Sequence, residues 1–124
     1  MGEAVPQPTV LLVEDETLIS HLVADVLAER GFAVYEVASA EEALDYIGRG
    51  GPVDVLFTDV NLPGIDGAEL ADRVRALHPD LPILYASGRY HAADIASMVS
   101  RSIFVSKPYD PTDVCSLLRR LTGD

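Results

Sequence analysis

Five short runs rich in Val, Ile, Leu and Phe alternate along the chain with segments whose apolar residues recur at helical spacing. Strands are expected in "TVLLVEDE", "FAVYEV", "VDVLFTD", "LPILYAS" and "SIFVS". Between the first two, "TLISHLVADVLAERGF" carries Ile19, Leu22, Val23, Val26 and Leu27 on one stripe and stops at Gly31. In "SAEEALDYIGRG", Ser39 is a candidate N-cap, acids fill the first turn and glycines close the helix. "GAELADRVRALHP" is apolar at Leu70, Val74 and Leu77, and the segment from Tyr90 to Ser100 is weakly amphipathic through Ile95 and Val99, so a short fourth helix is expected there. The last segment, "DPTDVCSLLRRLTG", offers Asp110 as N-cap, Pro111 at the first helical position and a stripe of Val114, Leu117, Leu118 and Leu121.

Strands apolar on both faces and separated by helices imply a parallel sheet with helices on each side. The crossovers are expected to be right-handed, and the common solution for five strands is the flavodoxin-like order 2-1-3-4-5. The fold class is therefore α/β: a doubly wound five-stranded parallel sheet with five helices in three α/β/α layers.

A length of 124 residues suits one domain with its own core. Residues 1–8 are expected to be a flexible lead and residues 9–122 the domain, with no effector domain after it. Acids outnumber bases by 20 to 9, a net charge of −11, which repels nucleic acid and anionic lipid and argues against either as a partner. The single Cys115 lies within an apolar pattern and suits a packing role better than a nucleophile's. The start "MGEAVPQPTV" lacks a basic region followed by a long apolar one, and no run reaches membrane-spanning length, so a cytoplasmic protein is expected.

In "LFTDVNLPGIDG" a buried-type strand ends on Asp59 and passes into a loop of Pro, Gly and Asp. The first strand likewise ends on Glu14 and Asp15. In the order 2-1-3-4-5 these strands are neighbours, so three carboxylates converge where such sheets bind ligands. Crowded carboxylates repel unless something positive lies among them, and an all-oxygen set suits a hard divalent cation, Mg2+ first. Ser87 follows the fourth strand and Lys107 the fifth, adding a hydroxyl and an ammonium at the same edge. A metal, a carboxylate, a hydroxyl and an ammonium together are equipment for holding a phosphoryl group.

Taken with their order, "LLVEDE", "LFTDVNLPGIDG", "LYASG" and "FVSKPY" resemble the receiver domain of two-component response regulators, from about Thr9 to about Leu121. The resemblance implies that Asp59 accepts a phosphoryl group from the phosphohistidine of a histidine kinase or a histidine phosphotransfer protein. It implies Mg2+ ligation by Asp15 and Asp59 side chains, by the Asn61 carbonyl and by Glu14 through water. Lys107 would pair with the acceptor and then with the phosphoryl oxygens, Ser87 would hydrogen-bond the phosphoryl group, and Phe104 matches the switch aromatic. Lys107 and Pro108 match a pair joined by a cis peptide in the family. Phe104 has no hydroxyl, so it can report only by packing, and the 20-residue spacing from Ser87 to Lys107 is short for a receiver. "YASGRY" is similar to the Phe-Ala-Thr-Gly-any-Tyr motif of FATGUY receivers, often single-domain, with Tyr85 and Ser87 at its first and third places. A similar region also occurs in receivers at the ends of hybrid kinases.

Each residue also has a plainer explanation. Asp15 can cap a helix, Asp59 can open an Asx turn, Ser87 can be a turn serine, Phe104 can be core and Lys107 a solvated lysine. His21, His78 and His91 show no ligand spacing, and Arg119 and Arg120 suit a solvated helix face. The leading expectation is a signalling protein, a monomer or weak dimer, that switches a surface for a downstream protein and catalyses only its own phosphoryl transfer and dephosphorylation. Asn61 and Arg89 are expected to flank the path of a hydrolytic water. The alternatives are a pseudo-receiver acting without phosphorylation, a magnesium-dependent phosphohydrolase, for which the acceptor candidate is on the wrong strand, and an FMN-binding module, whose phosphate the acids after the first strand would repel.

Overall fold

The computed structural model describes residues 7–88 and 102–123. Along it run β1 (Thr9–Val13), α1 (Thr17–Glu29), β2 (Ala33–Val37), α2 (Ala40–Gly48), β3 (Val55–Asp59), α3 (Gly67–Leu77), β4 (Ile83–Ser87), β5 (Ser102–Ser106) and α4 (Pro111–Leu121). All strand pairs are parallel, in the expected order β2-β1-β3-β4-β5. Four helices lie among the described residues, and the helix expected from Tyr90 to Ser100 lies outside them.

Alternation along the central strands divides their side chains between two cores. Leu11 and Val13, Leu56, and Ile83 and Tyr85 pack with Ile47 of α2 and Leu70 and Val74 of α3. Their chain neighbours Val10 and Leu12, Val55 and Phe57, and Leu84 and Ala86 pack with Val23 and Leu27 of α1 and Val114 and Leu118 of α4. Each fully buried Leu or Phe contributes about 1.5–3 kcal/mol of transfer free energy. Burial on both faces is why these strands lack the polar alternation of a half-exposed sheet. β2 is an edge strand and departs from that pattern, with Tyr35 and Glu36 exposed and Tyr35 stacked on Tyr46 at 4.2 Å between ring centroids.

Two stripes are narrower than their sequences suggest. On α1 the buried positions are Ser20, Val23, Ala24 and Leu27, while Leu22 is 57% exposed. Ser20 occupies the buried row because its hydroxyl donates to Glu36 Oε1 at 2.7 Å. On α3, Leu70 and Val74 are buried but Leu77, in the last turn, is 58% exposed. Ser39 caps α2 by accepting from the Glu42 N–H at 3.1 Å, and Asp110 caps α4 by accepting from Thr112 at 2.9 Å, as expected. Cys115 is buried, in keeping with a packing role. Arg119 is not simply a solvated residue. Its guanidinium donates to the carbonyl of Arg30, the C-cap of α1, and lies 4.9 Å over the Phe32 ring. A long side chain reaching a helix end can serve a carbonyl left without an intrahelical partner. Arg120 is exposed.

Gly67, the first residue of α3, donates its N–H to the Val60 carbonyl at 2.9 Å. A Cβ there would sit 2.3 Å from the Asp59 carbonyl oxygen and 2.8 Å from Val60 Cα. Backbone cannot rotate aside as a side-chain tip can. Gly67→Ala is expected to cost about 1–3 kcal/mol of unfolding free energy, as overpacking does. Gly48→Ala, whose Cβ meets nothing within 4 Å, is expected to gain about 0.4–1 kcal/mol. Urea unfolding of both variants beside the parent chain checks the pair.

Candidate functional site

β1 pairs with β3 through Val13 and Thr58, so the residues that follow leave the sheet side by side. Glu14, Asp15 and Asp59 each place a carboxylate oxygen within 4.8 Å of the others. Glu14 and Asp59 are buried, at 4% and 7% exposure, and Asp15 is exposed. With Glu16, Asn61, Gly88 and Lys107, Asp15 and Asp59 line an open cleft of about 400 Å³.

Asp15 does not cap α1. The N-cap is Glu16, whose N–H donates to Glu14 Oε2 at 3.0 Å, which leaves the Asp15 carboxylate available to the cleft. Asp59 does open a turn, since Asn61 N–H donates to its Oδ1 at 3.2 Å. The turn uses one oxygen, and the other, Oδ2, accepts from Lys107 Nζ at 2.8 Å. The same ammonium is 3.6 Å from Glu14 Oε1. Lys107 is thus a paired lysine rather than a solvated one, and its peptide bond to Pro108 is cis, as the sequence led one to expect.

Ser87, at the end of β4, is 1% exposed. Its Oγ accepts from Asn61 Nδ2 at 2.9 Å, and its carbonyl accepts from the Lys107 N–H at 3.1 Å. Phe104 pairs in register with Tyr85 and is half-buried, packed against the core shared with α2 and α3. Glu14, Asp15, Asp59, Asn61, Ser87 and Lys107 therefore gather at the carboxyl ends of β1, β3, β4 and β5. Phe104 lies at the middle of β5, and Arg89, expected to flank the path of a hydrolytic water, lies outside the described residues. The bridge from Asn61 to Ser87 was not visible in the sequence, where Asn61 is one polar residue in a polar loop. Tyr109 was missed also. Its ring lies 5.7 Å from Phe57, and its position directly after Lys107 and Pro108 was the available signal.

Burial first, and then neighbouring charge, sets the titration of these groups. Burial pushes the Glu14 carboxyl upward, with Asp59 and Asp15 adding to the rise, against the Glu16 hydrogen bond and the Lys107 charge. Burial pulls Lys107 down, yet its hydrogen bond to Asp59 and the charges of Asp59, Glu14 and Glu16 outweigh that, and the ammonium is held above its ordinary value. Tyr109 is raised by burial and then by Glu14 and Asp59, so its hydroxyl keeps its proton. The donor set, three carboxylates and no nitrogen or sulfur, fits a hard divalent cation.

Sequence and structure comparisons agree with this geometry. Residues 10–119 match the family model of the response regulator receiver domain. The chain belongs to the response regulator receiver family. It is 37% identical over 115 residues to the transcriptional regulatory protein CreB of Escherichia coli, covering 91% of this chain and 50% of CreB. It is 33% identical to the sensor kinase CckA of Brucella abortus, covering 91% of this chain and 12% of that protein. A response regulator receiver protein from Sinorhizobium medicae superposes with a TM-score of 0.87 at 27% identity, covering 94% of both chains. The chain thus spans half or less of the two curated relatives named here.

The raised Glu14 carboxyl has a sign that can be checked. Glu14 holds its proton more tightly folded than unfolded, so its ionisation opposes folding. That penalty is absent below the ordinary value of 4.5, grows as the pH rises from there toward the raised folded value, and is complete above it. Without divalent cation, Glu14→Gln is expected to be more stable than the parent chain at pH 7, with the difference vanishing below about pH 4.5. Denaturant unfolding across a pH series measures it.

Proposed function

We propose that this receiver accepts a phosphoryl group on Asp59 from a histidine kinase or a histidine phosphotransfer protein, and that the modification switches a surface read by a downstream protein. The supporting observation is the 2.8 Å contact of Lys107 Nζ with Asp59 Oδ2 inside the carboxylate trio. Glu14, Asp15 and Asp59 side chains and the Asn61 carbonyl would hold Mg2+, with Glu14 acting through water. Bound Mg2+ supplies positive charge that offsets the repulsion between an incoming phosphate and the trio.

The remaining roles belong to the chain's own groups. As the donor's phosphorus–nitrogen bond breaks, an Asp59 carboxylate oxygen takes the phosphoryl group. Lys107, already protonated beside Asp59, meets the new oxygens with its ammonium. Ser87 turns its O–H toward them, and Phe104 moves into the space behind, altering the face of β5. An almost complete population change needs about 5.5 kcal/mol of differential interaction, and the roughly two negative charges of a phosphoryl group are the source. In this proposal residues 9–122 form the receiver unit, a monomer or weak dimer in the cytoplasm that catalyses only its own phosphorylation and dephosphorylation. Among the described residues no helix is long and apolar enough to cross a membrane.

The pseudo-receiver alternative is not favoured, because a chain working by contact alone has no need of a lysine held on a buried carboxylate. Family membership sets aside the phosphohydrolase and FMN readings.

Incubated with acetyl phosphate and Mg2+, the chain is expected to gain one phosphoryl mass by intact mass spectrometry, and Asp59→Asn to gain none while keeping its fold. Full labelling of Asp59→Asn would refute the acceptor. Lys107→Ala is expected to retain Mg2+ binding while the phosphorylation-dependent gain in partner affinity falls about tenfold or more, measured by titrating a partner against both forms.

A further inference from the structure

Asn61 touches both halves of the switch from one residue. Its main-chain N–H donates to Asp59 Oδ1 at 3.2 Å, and its side-chain Nδ2 donates to Ser87 Oγ at 2.9 Å. Ser87 is almost wholly buried, and its carbonyl is fixed by the Lys107 N–H. What can turn at Ser87 is therefore the hydroxyl rather than the main chain. Asn61 itself is exposed, so an amide released from Ser87 is rehydrated at once.

We propose that the Asn61 side chain is a positioning residue that holds Ser87 Oγ in the resting arrangement, so that a phosphoryl group on Asp59 must draw the hydroxyl away from it. The inference rests on Asp59 as the phosphoryl acceptor. It assigns to the Asn61 amide a role separate from any its carbonyl has toward a metal. An approaching phosphoryl oxygen offers the Ser87 O–H a charged acceptor; the hydroxyl donates there and accepts from Asn61, so the two bonds compete through the position of Oγ rather than for its proton. Swinging Oγ toward the phosphoryl group stretches or breaks the 2.9 Å bond from Nδ2, while the Asn61 main chain stays tied to Asp59. The resting bond thus opposes activation by about the net worth of one neutral hydrogen bond, a factor of roughly two to ten in equilibrium.

The test is a double-mutant cycle on a stable phosphoryl mimic. Beryllofluoride with Mg2+ is titrated into the parent chain, Asn61→Ala, Ser87→Ala and the double variant, with bound fluoride followed by 19F NMR and thermal melts confirming folding. Asn61→Ala is expected to tighten beryllofluoride about twofold to tenfold when Ser87 is present and to change nothing in the Ser87→Ala background. Ser87→Thr keeps the hydroxyl and is expected to preserve the Asn61→Ala effect, which covers the case in which Ser87→Ala fails to fold. An equal effect with and without the hydroxyl, or weaker binding by Asn61→Ala alone, overturns the bridge while leaving Asp59 as acceptor. Absence of bound beryllofluoride in every form, parent included, overturns the acceptor assignment and the bridge together.

Discussion

β1 pairs with β2 on one side and β3 on the other, so the chain leaving Val13 and the chain leaving Asp59 are fixed as neighbours by main-chain hydrogen bonds. Those bonds do not weaken when the side chains at the exits repel one another. The sheet can therefore hold Glu14, Asp15 and Asp59 within 4.8 Å, closer than free carboxylates would settle, and keep them there. Burial, with a smaller contribution from the neighbouring carboxylates, raises the Glu14 carboxyl, and one ammonium that touches Asp59 and Glu14 partly offsets it. Lys107 reaches them because β5 ends beside β4, with its N–H bound to the Ser87 carbonyl. Order of strands, placement of charge and choice of counter-ion thus follow from one set of parallel pairings.

Much of this was legible because the sequence signals and the tertiary structure agree. Apolar runs ending on acids, Ser39 and Asp110 as caps, and Pro111 at a helix start each have a local cause that the fold did not override. The misreadings came where a partner far along the chain decides the outcome. Spacing alone puts Leu22 on the α1 stripe, but Ser20 takes a buried place because Glu36, on an adjacent strand, satisfies its hydroxyl. Arg119 looks like a surface charge until the end of α1, 89 residues earlier, is brought beneath it.

The site shows the same division. Asp59, Lys107 and Ser87 could be placed from strand order, since each lies at or next to a strand end. The direction of the Asn61 side chain could not, because a loop asparagine has several neighbours it can serve and only geometry selects Ser87. Gly67 was invisible for a related reason: its missing Cβ matters only because the Asp59 carbonyl passes 2.3 Å from where that atom would be.

β3 and β4 are buried along their whole length, whereas β5 has four half-buried residues and ends on an exposed serine. A strand enclosed by two cores cannot shift without repacking both, and close-packed interiors resist that. β5 is hydrogen-bonded to a single neighbour, so small displacements there disturb the least packing. The sheet is accordingly stiff where chemistry needs fixed distances and compliant at the margin that carries Phe104. Of the two edge strands, β2 and β5, it is β5 that lies on the side of Ser87 and Lys107, so packing is softer there than along β3 or β4.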